Sequence, residues 1–305
     1  MSPLAQTEAS TAKRGSPRLA SVPYWQLAVL AALTLWAYGS TLAHLLGQWW
    51  HDPNFSHGFF VPLFSAFVIW QERDRLARLV PKPAWSGIAF IALGLIVLMV
   101  GRMGAELFLA RSSLLLVLAG AIILFFGWNV FRVLFFPWAF LLLMIPIPAI
   151  IFNKITFPLQ ILASKVAATS LPLFGVPCFR DGNVINLPSI ALEVAEACSG
   201  IRSLMSLVTL AIIYGYLVDK RLWVRWVLAL ASVPIAVLAN SVRIIGTGLL
   251  AQYWDPNKAE GYFHASWGWI IFVVSLGMLY ATHVLIRLIL PEKGGPEKRL
   301  GKARS

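Results

Sequence analysis

Long apolar runs recur along this chain, and they constrain its fold more than any other feature. They lie near residues 24–46, 57–71, 84–101, 112–127, 133–153, 200–217, 226–248 and 267–290. A helix of about 20 apolar residues spans the hydrocarbon core of a bilayer. Of the 305 residues, 59% are hydrophobic and only 12% are charged, whereas a soluble domain has about 25% charged residues. We therefore predict an all-α polytopic membrane protein with about eight transmembrane helices.

The segment from about residue 154 to residue 199 departs from this pattern. Ile155, Leu159, Leu162 and Val166 recur at spacings of four, three and four, which predicts an amphipathic helix lying in the membrane interface. The sequence Arg-Asp-Gly-Asn at 180–183 is typical of a turn, and apolar residues alternate with other residues over 189–194. We expect a small insertion made of an amphipathic helix and a β-hairpin.

The positive charges predict the orientation of the chain in the membrane. Seventeen of the 25 Lys and Arg residues lie in the N-terminal tail, in the loops at 72–83 and 218–225, near Arg132 and toward the C-terminus. Because Lys and Arg favour cytoplasmic loops, both termini are predicted to be cytoplasmic and the insertion periplasmic. The net charge of +12 is thus a topology signal, and we predict no nucleic-acid partner.

The same patterns predict the domain organisation. Residues 1–20 are polar and predict a disordered cytoplasmic tail, whereas 291–305 predict a basic cytoplasmic tail. Between them, residues 21–290 form one transmembrane domain. Its first apolar run is too long for the core of a signal peptide, so we interpret it as a membrane anchor. Pro137, Pro146 and Pro148 interrupt the fifth run and predict a kink or a break there.

Three chemically active side chains lie at the predicted outer ends of three consecutive helices. Cys198 precedes the sixth helix, Arg243 lies near the end of the seventh, and His264 precedes the eighth. A helix N-terminus favours a thiolate, a histidine can accept and return its proton, and an arginine can stabilise an oxyanion. The backbone N–H groups of Ser199 and Gly200 are further oxyanion donors. Together these residues predict acyl transfer through a thioester.

Structural interpretations of the same residues stay open at this point. Cys198 could be inert, or paired with Cys178 in a disulfide, since both lie on the predicted oxidising side. Arg243 could extend to the headgroups, although Asn240 beside it favours a polar cavity. His264 could belong to an interfacial aromatic belt. His57, close to His51 and Asp52, is a weak metal-ligand set and is better interpreted as the start of a helix, so we predict no metal site.

The motifs in order resemble the exosortase/archaeosortase family. The resemblance rests on Ala-Cys-Ser-Gly-Ile at 197–201, Asn-Ser-Val-Arg at 240–243, the later His264, and Ser-His-Gly-Phe-Phe-Val-Pro at 56–62. It implies a membrane cysteine transpeptidase in a bacterial inner membrane, linked to extracellular polysaccharide production. The implied substrates are membrane-anchored proteins whose C-terminal sorting signal combines a short motif such as Pro-Glu-Pro, a membrane span and a basic tail.

The resemblance also implies roles for particular residues. Cys198, Arg243 and His264 take the catalytic positions, and Asn240 is a supporting residue. The His57 segment is a candidate for substrate contact. Glu196 does not belong to the motifs of the resemblance and is most simply a solvated turn residue, with orientation of His264 or substrate recognition as alternatives. No cofactor is predicted, because the chemistry needs only a thiolate and proton transfer. Two alternative functions are a non-catalytic scaffold or exporter subunit for polysaccharide, and a thiol-dependent membrane acyltransferase.

Overall fold

Helices make up most of the chain in the computed structural model, which describes residues 24–194, 200–254 and 262–291, with side chains at 25–194, 203–254 and 268–291. The α-helices of these ranges are α1 (Tyr24–His51), α2 (Phe60–Gln71), α3 (Arg73–Arg78), α4 (Ser86–Met103), α5 (Leu107–Phe126), α6 (Trp128–Phe140), α7 (Ala149–Ser170), α8 (Gly200–Val218), α9 (Leu222–Tyr253) and α10 (Tyr262–Ile289). Short 3-10 helices cover Ser56–Phe59, Leu141–Met144 and Leu171–Phe174.

The prediction of an all-α polytopic membrane protein is confirmed. Six helical segments of the described residues are long and apolar enough to cross a bilayer, and they correspond to α1, α4, α5, α7, α9 and the part of α10 from Gly268 onward. Two shorter apolar segments, Trp128–Met144 and Ser203–Val218, add α6 and α8. The second predicted helix is shorter than expected, because α2 has only 12 residues and follows a 3-10 turn. The total of eight membrane crossings stays a prediction.

The fifth predicted helix is divided between two elements. The chain leaves helical geometry at 145–148, where Pro146 and Pro148 lack the backbone N–H that a continuous helix needs. Pro137 remains inside α6, and α7 begins directly after Pro148. Along α7, Ile155 and Leu162 are exposed whereas Ala163 and Ala167 are buried. The predicted amphipathic helix of the insertion is therefore part of α7, and its position in the membrane interface stays a prediction.

A three-stranded antiparallel sheet follows α7, one strand more than the predicted hairpin. Its strands are β1 (Phe179–Asp181), β2 (Val184–Asn186) and β3 (Ala191–Glu193), in that order across the sheet. The predicted turn joins β1 to β2, and its Gly182 has a φ of 60°, a left-handed conformation that glycine adopts without strain. Ile185 and Leu192 are paired and buried in one core with α7 and with Ile244 of α9. The sheet thus covers α7 and the second half of α9.

The described chain divides into two units, each with its own core. One contains the chain up to His44 and Ser65–Leu142, and the other contains Leu45–Phe64 and the chain from Leu143 onward. In the first unit, α4 and α5 pack so closely that glycines fill the contact at 87, 94 and 101. Because these glycines are seven residues apart, they lie on the same face of α4. Their small size allows the backbones of α4 and α5 to approach each other.

In the second unit, α9 packs against both α8 and α10. Leu207 of α8, Leu228 of α9 and Leu279 of α10 are buried together in the core of this three-helix group. The group forms because each of the three helices presents an apolar stripe toward the other two. The predicted catalytic positions belong to this group or to the residues that precede its helices.

Candidate active site

Arg243 lies within the second half of α9, and only 5% of its surface is exposed. Asn240 lies three residues earlier and therefore on the same helix face. A buried guanidinium in a membrane helix is costly unless polar groups or a cavity surround it. A small cavity of about 10 Å³ adjoins it, lined by both residues and by Ser203, Gly268 and Ser275 among others. This volume has room for about one water molecule.

Gly268 of α10 packs directly against the Arg243 guanidinium. A Cβ atom built on Gly268 would lie 3.4 Å from Nη2 and 3.5 Å from Cζ of Arg243. Residue 264 lies one helical turn before Gly268 and on the same face of α10. The backbone therefore brings position 264 to the part of α10 that is next to Arg243, although the His264 side chain is not among those described.

The start of α8 forms another boundary of this cavity. Ser203 lines the cavity from the first turn of α8, which begins at Gly200. The first backbone N–H groups of a helix have no intrahelical partner, so they are available to an anion at this end. Cys198, Ser199 and Glu196 precede the helix and lie outside the described residues. Their predicted roles stay predictions.

Among the described residues, Asn240 offers a polar atom that the fold leaves unused. Its side-chain Oδ1 is buried and has no hydrogen-bond partner in the part of the chain that the structure describes. A buried polar atom without a partner costs free energy comparable to a lost hydrogen bond. An acceptor held beside a buried guanidinium and a water-sized cavity can bind a water molecule, a substrate N–H or a neighbouring side chain.

His57 lies in the 3-10 helix Ser56–Phe59 of the same unit. Its ring is buried, and its Nε2 donates to the carbonyl oxygen of Leu143 at 3.3 Å. Burial lowers the pKa of His57, and backbone hydrogen bonds with Leu143 and Asn54 offset this only in part. The neutral ring that donates from Nε2 has Nδ1 as an acceptor. This 3-10 helix contacts α8, so His57 belongs to the surroundings of the three-helix group.

The packing around position 58, directly after His57, requires a glycine. Gly58 packs under the indole of Trp49, and a Cβ on Gly58 would lie 2.4 Å from the indole Nε1. Trp49 in turn donates from Nε1 to the carbonyl oxygen of Met144 at 3.0 Å. The His-Gly-Phe sequence is thus fixed against Leu143 and Met144, just before the break that precedes α7. Among the described residues, no group of three or more His, Cys, Asp or Glu residues could hold a metal ion.

Cys178 has the properties of a structural cysteine. It is a free thiol that donates to the carbonyl oxygen of Ala168 at 3.4 Å. Burial raises the pKa of Cys178, so less of it is ionised at neutral pH. Since the thiolate is the reactive form, this environment does not favour nucleophilic chemistry.

Sequence reasoning missed several residues that the structure brings together. Gly268 and Ser275 follow His264 by four and eleven residues, so helical periodicity from His264 would have found them. His283, which no motif of the sequence analysis includes, is buried, and its Nδ1 lies 2.8 Å from the Tyr214 hydroxyl. Its Nε2 lies 3.5 Å from the buried Asp219. No sequence motif marks this second cluster, because its members come from three separate elements.

Comparison with known proteins adds one finding. A family model described as a transmembrane exosortase matches residues 49–281. No curated protein and no solved structure matched the chain. The matched range contains both motifs at the cavity, Asn240 with Arg243 and the first turns of α10, as well as the His57 segment.

Proposed function

The chain belongs to the transmembrane exosortase family, and we propose that within this family it is a cysteine transpeptidase or peptidase that cleaves the C-terminal sorting signals of exported proteins. A general role as a membrane protease or transpeptidase follows from the family. The observation that supports the finer proposal is the buried Arg243. Its guanidinium adjoins a water-sized cavity at the end of the three-helix group where Cys198 precedes α8 and position 264 opens α10.

The reaction follows from the chemistry of these groups. The Cys198 thiol gives its proton to His264, and the thiolate attacks the carbonyl carbon of the scissile peptide bond. Arg243 and the N–H groups at the start of α8 stabilise the oxyanion of the tetrahedral intermediate. The C–N bond breaks, and the leaving amine takes the proton from His264. Water or a second amine then attacks the thioester, which releases the thiolate and gives an acid or a new amide.

Supporting roles go to residues around this centre. Asn240 orients a group in the cavity, since its Oδ1 has no partner among the described residues. His57 and Glu196 contact the substrate near the scissile bond. The charge distribution supports an inner-membrane protein with cytoplasmic termini and a periplasmic active site. Processing of surface proteins would link the enzyme to extracellular polysaccharide assembly.

The proposal is tested by co-expression of the full chain with a membrane-anchored protein that carries a C-terminal sorting signal. Cys198→Ala, Arg243→Ala and His264→Ala are each expected to abolish the C-terminally shortened product. Cys178→Ala is the matched control, because its thiol is structural, and it is expected to process normally. Each variant is first checked for membrane insertion and for an unchanged thermal unfolding midpoint.

The product distinguishes this proposal from the alternatives. Mass spectrometry of the product's C-terminus is expected to show cleavage within the sorting signal. A full-length lipidated product would indicate an acyltransferase. Normal processing by Cys198→Ala would indicate a scaffold and would end the catalytic assignment. Processing that persists only in Arg243→Ala would give the arginine a structural role.

A further inference from the structure

A second polar cluster lies at the other end of the three-helix group, where α8 turns into α9. Asp219 is only 4% exposed, and Arg221 donates to its carboxylate from Nη2 at 2.8 Å and from Nε at 3.1 Å. These hydrogen bonds hold the pKa of Asp219 well below its usual range, against the effect of burial. The carboxylate is therefore ionised at neutral pH, and its charge is compensated by Arg221.

His283 connects this ion pair to an apolar groove. The ring lies between Asp219, 3.5 Å from Nε2, and the Tyr214 hydroxyl, 2.8 Å from Nδ1. Tyr214 is also a wall of the groove, which lies between α8 and α10 and encloses about 340 Å³. Its other walls are aliphatic or aromatic and include Ile213, Leu217, Leu276, Leu279 and Tyr280.

Two basic residues lie next to this cluster, Arg287 by a contact with Val218 and Lys220 by its position directly after Asp219. Arg287 donates from Nη2 to the carbonyl oxygen of Val218 at 3.2 Å, directly after the groove residue Leu217. Arg287 and Lys220 are both exposed. Because Arg221 already compensates Asp219, these two side chains give the rim of the groove a net positive charge. A ligand that fits both parts has an apolar chain and an anionic head.

We propose that this groove binds one anionic phospholipid, with an acyl chain between α8 and α10 and its phosphate at Lys220 and Arg287. Basic pockets between membrane helices are known to bind anionic headgroups. Apolar contacts give little selectivity, since lipid tails are as apolar as the groove. Selectivity therefore comes from the two cations. Their attraction for an anionic headgroup gives it a preference of about tenfold or more over a zwitterionic headgroup.

The charge beside the groove favours an anionic lipid over the membrane span of a sorting signal. Such a span is followed by a basic tail, which would bring like charges against Lys220 and Arg287. An acyl chain with a phosphate brings an anion to these cations instead.

Native mass spectrometry of the purified full-length protein tests the proposal. The protein is incubated with equal amounts of phosphatidylglycerol and phosphatidylcholine that carry identical acyl chains. Wild type is expected to retain one phosphatidylglycerol per chain with about tenfold preference. The double substitution Lys220→Gln with Arg287→Gln is expected to remove the preference, and Leu217→Trp, which fills the groove, is expected to lower retention of both lipids by about fivefold or more.

Matched variants separate a site from a general charge effect. Arg75→Gln with Arg78→Gln removes two exposed cations elsewhere, and Leu285→Trp adds a bulky group at an exposed position of α10 outside the groove. Both are expected to bind lipid as wild type does. Equal retention of the two lipids by wild type, an equal loss in the control variants, or no loss in Leu217→Trp would each overturn the proposal.

Protection of an introduced thiol distinguishes a lipid in the groove from the membrane span of a protein substrate. In a Leu217→Cys variant, protection from a membrane-permeant thiol reagent is expected to depend on phosphatidylglycerol. Protection that depends only on a co-expressed substrate would overturn the proposal in favour of the substrate's membrane span. None of these measurements uses catalysis, so a failure here leaves the proposed peptidase activity to its own test.

Discussion

Gly268 tests whether the Arg243 guanidinium must hold its present position. We expect Gly268→Leu to lower substrate processing about a hundredfold, because a displacement of about 1 Å at a catalytic group can cost that much. Gly268→Ala is expected to stay within about threefold of wild type, since its Cβ would lie 3.4 Å from the guanidinium. The measurement is the rate of appearance of the shortened product on co-expression.

The matched control is on the same helix. Gly277 has no atom within 4 Å of a Cβ built on it, so Gly277→Leu is expected to process normally. Equal activity of Gly268→Leu and Gly277→Leu would show that the guanidinium position does not matter for the reaction.

His57 predicts a pH dependence of stability. Its pKa is lowered by burial from the ordinary value of 6.5, so the unfolded chain takes up a proton at this residue before the folded protein does. The free energy of unfolding is therefore not reduced by His57 above about pH 6.5. It decreases as the pH falls from there toward the pKa of His57 in the folded protein. Between about pH 7.5 and about pH 5.5, wild type is expected to lose about 1 kcal/mol more than His57→Gln does.

Denaturant or thermal unfolding in detergent at the two pH values measures this difference. His51→Gln is the control, because His51 is exposed and its Nδ1 forms a hydrogen bond with the Gly47 carbonyl oxygen of its own helix. The same pH dependence in wild type and His57→Gln would contradict a buried neutral ring at position 57.

At the scale of residues, the sequence predicted some of the site and could not predict the rest. Arg243 was found because a charge in an apolar run is costly, and Asn240 because a polar residue beside that charge favours a polar cavity. Gly268 carries no functional group, so only the approach of α10 to α9 gives it a role. Asp219 and His283 are 64 positions apart in the sequence, and only the fold makes them neighbours.

At the scale of elements, the contact between α4 and α5 depends on glycine. Gly87 is the clearest case, since its Cβ would lie 2.5 Å from the Gly120 carbonyl oxygen and 2.5 Å from the Leu124 nitrogen. Alanine is ordinarily better than glycine inside a helix by about 1 kcal/mol. We nevertheless expect Gly87→Ala to destabilise the protein by about 1–3 kcal/mol, because two backbones would have to separate.

The control for this prediction lies in α1. A Cβ on Gly39 meets no atom within 4 Å, so Gly39→Ala is expected to leave stability unchanged or to raise it. Unfolding midpoints of both variants in the same detergent give the comparison. Equal midpoints for the two alanine variants would mean that α4 and α5 can move apart without cost.

The elements themselves were predicted to different extents. Long apolar runs gave the helices, because length and composition alone decide them. The division of the fifth run needed the local geometry at Pro146 and Pro148, since Pro137 and Pro158 lie inside helices without ending them. The alternation over 189–194 predicted β3, but β1 and β2, with three residues each, are too short to be recognised as two further strands.

At the scale of the whole molecule, the three-helix group has two chemically different ends. The end with Arg243 carries buried polar groups around a cavity, whereas the end with Asp219 carries exposed Lys220 and Arg287. The sequence predicted this asymmetry through the distribution of Lys and Arg, because charge bias in the loops sets orientation. It could not predict the ion pair between Asp219 and Arg221, in which Asp219 neutralises one of the basic residues that were counted for the charge bias.

Thiol labelling in intact cells tests the orientation. In a background with Cys178→Ser and Cys198→Ser, we expect Asp181→Cys in the exposed part of the sheet to react with a membrane-impermeant maleimide added outside the inner membrane. Lys220→Cys, exposed in the α8–α9 turn, is expected to react only after the cells are lysed, since seventeen of the 25 basic residues favour the cytoplasm on that side. The Cys-free background is the control for labelling of other proteins.

Labelling of Lys220→Cys in intact cells would reverse the predicted orientation. Because Cys198 precedes the other end of α8, this result would also place the proposed chemistry on the cytoplasmic side, where exported substrates are not available.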